Sequence, residues 1–225
     1  NRSGFFVPRL ADQLRVRGAA GVTPRRGLRA EQKAAGRVAA SRGRQRFVYV
    51  SLYGAEKLSQ LAYVRAHEDV VAELERSGID HAVVRPTGFF YSLAELVKLA
   101  RRPAMILIGS GDHRTNPIHE DDLASVCVDA IEGDGREYSA GGPQIYTRGE
   151  INELAFAALG KKPRMVKVPP AVIKAGLRIV RPFDRRLYEL LLFLISVSQV
   201  DCVAPAVGAR RVEDYYAAFA KTLTR

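Results

Sequence analysis

The sequence has few cysteines and no long apolar run. Cys127 and Cys202 are its only cysteines, they lie far apart, and neither forms a CxxC spacing. We therefore expect no disulfide framework, and we expect a reducing, cytoplasmic setting. The longest apolar stretch, Leu187 to Val200, is interrupted by Glu189 and is shorter than the roughly 18 residues of a membrane span. No charged-then-apolar leader opens the chain, so we expect a soluble protein.

Positive charge is concentrated in the first part of the chain. Residues 1–46 contain 12 Lys and Arg against Asp12 and Glu31, whereas residues 47–225 contain 23 Lys and Arg against 22 Asp and Glu. A basic arm suits nucleic acid or an acidic surface. However, no aromatic residue lies between Phe6 and Phe47 to stack on bases. Nucleic acid is therefore not the expected partner.

From Arg46 onward, short β-branched runs alternate with helical patterns, which is typical of a parallel sheet covered by helices. Residues 46–51 (RFVYVS) are predicted to form a buried strand. A helix is predicted over 61–77, ending at Gly78, and the next strand over 81–85, ending at Pro86. These elements make one βαβ unit.

The later chain is predicted to be mostly helical. The predicted elements are a strand at 105–108 and helices at 92–101, 121–132, 148–159, 171–180, 187–197 and 212–223. The helix at 187–197 (LYELLLFLISV) is apolar nearly all round, so burial is its default prediction. An oligomer contact, as in a homo-oligomer, and a groove for a lipid-like substrate are the alternatives.

Four stretches of the sequence, taken together and in this order, resemble a known protein family. They are FVYVS (47–51), RAHEDVVAELERSGIDHAVVRPTGFF (65–90), NPIHEDDLA (116–124) and AGGPQIYTRGEINELAFAALGKKPRMVKVPP (140–170). As a set they resemble the NmrA-like, atypical short-chain dehydrogenase/reductase family. The resemblance implies an α/β fold, a Rossmann-like doubly wound parallel sheet. It also implies an NAD(P)-binding core over 46–139 and a small, mostly helical substrate region over 140–225.

The resemblance also implies that the N-terminal cofactor-binding half is incomplete. Family members open with a strand and a glycine-rich turn that lets backbone N–H groups approach the pyrophosphate. Gly4 stands within the corresponding turn, but Val7 occupies the position of its last glycine, and no first strand precedes it. Residues 1–45 are therefore predicted to be a degenerate basic remnant, with one helix over 5–17. The implied cofactor is NADP or NAD, held by an incomplete loop.

Catalytic chemistry in the larger superfamily depends on Ser and on Tyr-x-x-x-Lys along one helix. Ser51 ends the first strand, and Tyr63 is followed four residues later by His67, which stands where Lys is expected. Lysine lowers the tyrosine pKa, and a largely neutral imidazole does so less. Ser51, Tyr63 and His67 are therefore the candidate catalytic residues. The alternative is that Tyr63 is a packed aromatic and His67 a helix histidine with a structural hydrogen bond. The helical wheel turns both toward the sheet and Glu68 toward water.

Binding residues are implied at the ends of the strands. The candidate cofactor contacts are Gly4, Ser51, His67, Arg85, Pro86, Thr87 and Phe89, and the candidate substrate contacts are Tyr53, Phe89, Phe90, Asn116 and His119. Phe89 and Phe90 are equally consistent with core packing. Arg25 and Arg26 fall near the position where some relatives contact the 2′-phosphate of NADP. No metal is expected, because Asp121 and Asp122 beside His119 are explained as favourable charges in a first helical turn.

These residues predict an NAD(P)H-dependent oxidoreductase acting on a small carbonyl or quinone-like compound. A non-catalytic dinucleotide-binding regulator and an inactive truncated paralogue are the alternatives, which the His67 replacement and the missing glycines favour.

Overall fold

The computed structural model describes residues 46–223. Gly4, the helix predicted over 5–17 and the Arg25–Arg26 pair lie outside the described residues. The strands are β1 (Phe47–Val50), β2 (His81–Pro86), β3 (Met105–Ile108), β4 (Arg114–Thr115), β5 (Glu137–Ala140), β6 (Tyr146–Thr147) and β7 (Met165–Val168). The helices are α1 (Ala62–Ser77), α2 (Phe90–Leu99), α3 (Glu120–Glu132), α4 (Arg148–Ala157), α5 (Pro170–Leu177), α6 (Arg185–Val197) and α7 (Val212–Leu223), with a short 3-10 helix at Ala55–Leu58.

Within residues 46–223 the main sheet has three strands in the order β1-β2-β5, and both pairings are parallel. The predicted βαβ unit is confirmed: β1 pairs with β2 in a register that sets Phe47 opposite His81 and Val50 opposite Val84. Helix α1 joins them and ends at Gly78, whose φ of 71° is a left-handed conformation that favours glycine. The two strands therefore finish side by side, at Ser51 and Pro86.

Side chains alternate between the two faces of this sheet, as the strand period requires. Val48 and Val50 of β1 and Val84 of β2 pack with the buried face of α3, which contributes Leu123 and Cys127. Tyr49 of β1 lies on the opposite face and contacts α1. The α/β fold with helices on both faces of a parallel sheet is confirmed.

A second core lies away from the main sheet. Helices α2, α4 and α7 surround the fully buried side chains of Phe90, Phe156 and Tyr216. The capping box at the start of α4 fixes where that helix begins, because Thr147 accepts from the Glu150 N–H and Glu150 accepts from the Thr147 N–H. Two ribbons flank this core, parallel β3-β7 and antiparallel β4-β6. Strands β4 to β7 were not predicted; β4 and β6, with two residues each, are too short to give a periodic signal.

The prediction that α6 is buried is wrong for much of its length. Within it only Ile195 and Ser196 are buried, while Leu187 and Leu194 are 43% and 45% exposed. The face that is covered packs through Leu192 and Phe193 against the segment from Leu58 to Val64. Across residues 46–223, no helix is both long and apolar enough to cross a bilayer.

Candidate functional site

Tyr63 and His67 lie one turn apart on α1, and His67 contacts β1. Their ring centroids are 5.0 Å apart, and Phe193 of α6 packs on the other side of Tyr63 with centroids 4.6 Å apart. The Tyr49 hydroxyl on β1 is 2.8 Å from Nδ1 of His67. The sheet therefore holds the imidazole by one nitrogen, and the tyrosine ring is held between two aromatic neighbours.

Burial shifts the protonation of both groups. It lowers the pKa of His67 below its ordinary value, and the negative charge of Glu68 only partly opposes this shift. Burial also raises the pKa of Tyr63 above its ordinary value. His67 is therefore neutral at pH 7, and Tyr63 keeps its proton. A neutral imidazole hydrogen-bonds well but does not make the tyrosine more acidic.

Ser51 is engaged in a charge network. Its hydroxyl donates a hydrogen bond to Oε1 of Glu68 at 2.9 Å. The same carboxylate also accepts hydrogen bonds from both terminal nitrogens of Arg85, at 2.7 and 3.1 Å. Nε of Arg85 lies 3.0 Å from Oε2 of Glu137 on the neighbouring strand. Glu68 is predicted to face water, and its side chain is 37% exposed, but its carboxylate also pairs with the strand-borne Arg85. This network ties α1 to both β1 and β2.

The network makes Glu68 a determinant of stability. Partial burial raises the pKa of Glu68, but hydrogen bonds from Arg85 and Ser51 outweigh it and hold the pKa below its usual range. Because the pKa is lower in the folded state, the ionised Glu68 stabilises the fold at pH values above its unfolded-state pKa of about 4.3. This stabilisation is lost as the pH falls through the folded-state pKa.

We therefore expect Glu68→Gln to lower the free energy of unfolding by about 2 kcal/mol at pH 7, after allowing for solvent screening of the half-exposed carboxylate. Urea denaturation at pH 7 and at pH 3 measures the difference in the free energy of unfolding between Glu68→Gln and the wild type. This difference should be smaller at pH 3. Glu73→Gln is the matched control, since the exposed ion pair between Glu73 and Arg76 on the same helix contributes only about 0.2–0.5 kcal/mol to stability. Equal effects of the two substitutions at pH 7 would contradict the prediction.

The segment after β2 forms the turn predicted to border a ligand. The Thr87 hydroxyl is buried and donates to the Asn116 carbonyl at 2.6 Å. Apart from its two chain neighbours, no atom of residues 46–223 lies within 4 Å of the position that a Cβ would take on Gly88. Phe89 is partly buried against the α3 face, and Phe90 is 1% exposed in the second core. Among the described residues, open space therefore borders this turn at Gly88. Phe90 is a residue of the second core, which is the alternative to a substrate contact.

Asn116 connects three loops. Its amide Nδ2 donates to the carbonyls of Gly142 and Ala204, at 3.1 and 2.8 Å, and its Oδ1 accepts from the Ala204 N–H at 3.0 Å. The side chain is 1% exposed. Predicted as a substrate contact, Asn116 is instead saturated by backbone groups, so the structure gives it a structural role.

His119 caps a helix. Its Nδ1 accepts from the Asp121 N–H at 3.1 Å, and its ring packs edge-on against Phe90 and Tyr215. The adjacent carboxylates of Asp121 and Asp122 both pair with Arg210. These contacts agree with the assignment of the two carboxylates as structural charges.

Tyr53 lines an open cleft of about 510 Å³ on the α1 side of the sheet. Arg85 and Glu68 line the same cleft, together with Glu137 and the turn at Gly54. Tyr53 also donates its backbone N–H to the Pro86 carbonyl at 2.9 Å, which keeps the two strand ends together. The cleft brings Tyr53 near Arg85 but does not include Tyr63 or His67.

The sequence reasoning missed three residues of this region. Tyr49 holds the His67 ring, Glu68 pairs with Arg85, and Phe193 packs on Tyr63. For Tyr49 a signal existed: it lies at an odd position of β1 together with Phe47 and Ser51, so strand alternation places it on the α1 face. Phe193 had no such signal, because it comes from a distant helix.

Comparisons with known proteins agree with this architecture. No protein-family model matches the chain. A divinyl chlorophyllide a 8-vinyl-reductase of Cucumis sativus, a chloroplastic protein, is 34% identical over 152 residues, covering 62% of this chain and 36% of that protein. The fold is similar to a nucleoside-diphosphate-sugar epimerase of Staphylococcus aureus (TM-score 0.64, 16% identity, 88% of this chain and 74% of that one).

It is also similar to an NADPH-dependent quinone oxidoreductase of Escherichia coli, solved with NADPH (TM-score 0.60, 19% identity, 90% of this chain and 71% of that one). These two likenesses show a Rossmann-like α/β fold. The chain spans about a third of the length of the chlorophyllide reductases it matches.

Proposed function

We propose that the protein is an NAD(P)H-dependent reductase of the atypical short-chain class. The observation that carries the proposal is the βαβ unit itself: β1 and β2 end side by side, and the helix that joins them carries Tyr63 one turn from a neutral, sheet-anchored His67. Ligands of doubly wound sheets bind outside the carboxyl ends of their strands. The similarity to a vinyl-reductase and to an NADPH-dependent quinone oxidoreductase supports the same assignment.

The described residues fit a nicotinamide cofactor in part. In the part of the chain that the structure describes, open space beside Gly88 leaves room for a ligand at the end of β2, and the bond of His67 to Tyr49 occupies Nδ1 and not Nε2. The second imidazole nitrogen can therefore hydrogen-bond a ribose hydroxyl. By contrast, the side chains of Ser51, Arg85 and Thr87 are engaged within the protein, so we assign them to holding the turn in shape. The cofactor would supply a hydride.

In this arrangement Tyr63 is the proton donor. A reductase needs an acid that is protonated at working pH, and the raised pKa of Tyr63 keeps its hydroxyl protonated throughout the physiological range. The same shift makes it a weak acid, because no lysine opposes the effect of burial. We therefore expect slow proton donation, best suited to an electron-poor acceptor such as a small carbonyl or quinone-like compound.

A non-catalytic dinucleotide sensor is the second candidate. Two observations favour it: the imidazole in place of lysine, and the tight packing of the Tyr63 ring between His67 and Phe193. Such a protein would bind the cofactor and oxidise none of it. The cytoplasmic location and the homo-oligomer expected from the sequence stay predictions.

Cofactor binding is tested by filling the space beside Gly88. We expect the full chain to bind NADPH or NADH in isothermal titration, and Gly88→Leu to weaken that affinity by at least about tenfold, since the new side chain occupies the ligand's space. Leucine is compatible with the backbone there, because Gly88 does not have a positive φ.

Gly176→Leu is the matched control, as this glycine on α5 also has no atom within 4 Å of its Cβ position. Unchanged affinity in Gly88→Leu, or equal losses in both variants, would remove the proposed site. Turnover of NADPH with a panel of quinones and aldehydes then separates the two candidate functions.

A further inference from the structure

The helical hairpin formed by α5 and α6 exposes apolar side chains. Phe183, in the turn between the two helices, is 86% exposed, and Ile179 just before it is 71% exposed. Val172 on α5 and Leu187 on α6 are 61% and 43% exposed. The turn is tight, because the Val180 carbonyl accepts from the N–H groups of both Phe183 and Asp184. We call residues 170–187 the hairpin surface.

Positive charge surrounds these apolar residues. The hairpin surface, residues 170–187, contains five Lys and Arg against one acid, Asp184, although residues 47–225 as a whole are nearly neutral, with 23 against 22. Arg178, Arg181, Arg185 and Arg186 are all exposed. The carboxylate of Asp184 caps α6 by accepting from the Leu187 N–H at 2.9 Å. The rest of this part of the chain therefore carries a net negative charge, and the hairpin surface is its basic pole.

Helix stability does not explain the two arginines at the start of α6. The N-terminal end of a helix carries a partial positive charge, so cations in the first turn are unfavourable there. Arg185 and Arg186 occupy that turn, which contains no acidic residue. A partner with negative charge would account for their position.

The pattern suits a bilayer surface better than a protein interface. The centre of a protein interface is depleted of charge around its apolar anchors. Here Arg181 and Arg185 each lie two residues from Phe183, so this ring, which is 86% exposed, has a cation on either side of it in the sequence. At an anionic bilayer, by contrast, an apolar ring enters the headgroup boundary while Lys and Arg meet the phosphates.

We propose that the hairpin surface docks the protein on anionic lipid bilayers, with Phe183 entering the headgroup region and the surrounding arginines contacting lipid phosphates. This is peripheral docking. It does not depend on cofactor binding, and it would place the protein where lipid-soluble compounds are concentrated.

Co-sedimentation of the full chain with vesicles tests the proposal. The vesicles are phosphatidylcholine alone or phosphatidylcholine with about 30% phosphatidylserine, an anionic lipid. Arg185→Glu with Arg186→Glu is expected to lower partitioning to the anionic vesicles by more than about tenfold. This double variant should fold, because glutamates favour the first turn of α6. Phe183→Ser is expected to lower partitioning by about tenfold, through lost apolar burial.

Matched controls separate the hairpin from general charge, since residues 1–46 are also basic. Arg76→Glu with Arg136→Glu changes net charge equally at exposed sites elsewhere, and Ile131→Ser removes a 41% exposed apolar residue beside the acidic Glu132. Both controls should keep most of the binding, and wild-type binding should fall as salt is raised.

Three results would overturn the proposal. The first is no binding to anionic vesicles, or equal binding to neutral ones. The second is partitioning that falls no further in the hairpin variants than in their controls, which would assign binding to the basic arm. The third is concentration-dependent self-association without vesicles that Phe183→Ser abolishes and Ile131→Ser does not, which would make a second copy of the chain the occupant.

Discussion

Gly142→Ala is expected to lower the free energy of unfolding by about 3 kcal/mol or more. A Cβ at this position would lie 2.0 Å from the backbone carbonyl oxygen of Pro117, a contact that only a backbone shift can relieve. That shift would disturb the bond from the Gly142 N–H to the Asn116 carbonyl, at 2.8 Å, and the bond from the Asn116 amide to the Gly142 carbonyl. Urea denaturation followed by circular dichroism measures the change.

The matched substitution is Gly176→Ala in α5, where a Cβ meets nothing within 4 Å and φ is not positive. Alanine there should be neutral or stabilising by up to about 1 kcal/mol. If Gly142→Ala unfolded at the same urea concentration as Gly176→Ala, the loops at 116–118 and 140–142 would not approach each other as described. Asn116 would then lose its structural assignment.

Tyr63→Phe is expected to reduce kcat for NADPH oxidation by about 10²- to 10⁴-fold while leaving the Kd for NADPH within a factor of about two. The substitution removes the hydroxyl and keeps the ring that packs between His67 and Phe193, so the fold is preserved. Because burial raises the pKa of Tyr63, wild-type turnover should not decline between pH 7 and pH 9 through loss of this proton. Stopped-flow and steady-state assays at several pH values measure both effects.

Tyr91→Phe on α2 is the control, since this side chain is 53% exposed and should leave kcat unchanged. Wild-type protein that binds NADPH and reduces no quinone or aldehyde would support the sensor function. A Tyr63→Phe variant with wild-type kcat would show instead that the proton comes from another group. A wild-type rate that falls as the pH rises from 7 to 9 would contradict the assigned protonation of Tyr63.

Much of the main sheet could be predicted because its signals are local. The buried run at 46–51, the helix ending at Gly78 and the strand ending at Pro86 each have strong patterns, and the structure reproduces all three to within one or two residues. Parallel pairing of β1 and β2 followed from the helix between them. The position of His67 on the sheet-facing side of α1 followed from helical periodicity, whereas the contact of Tyr63 with Phe193 of α6 did not.

Long-range pairing limited the prediction of the site. A helical wheel assigned Glu68 to water because it treats polar residues as outward, but Arg85 on β2 supplies a partner that no local pattern reveals. Similarly, Asn116 looked available for a ligand until the carbonyls of Gly142 and Ala204 were seen to use its amide. Each of these contacts joins residues at least 17 positions apart.

The sequence by itself determined the α/β class, the βαβ unit and the one-turn spacing of Tyr63 and His67 on a helix, because these depend on residue identity and on periods of two and 3.6 residues. Tertiary structure alone decided which polar groups remain available to a ligand. It engages Ser51, Arg85 and Asn116 inside the protein and leaves space at Gly88 and cations around Phe183. The physical reason is that a buried polar group must find a hydrogen-bond partner, and the chain that supplies it is distant in sequence.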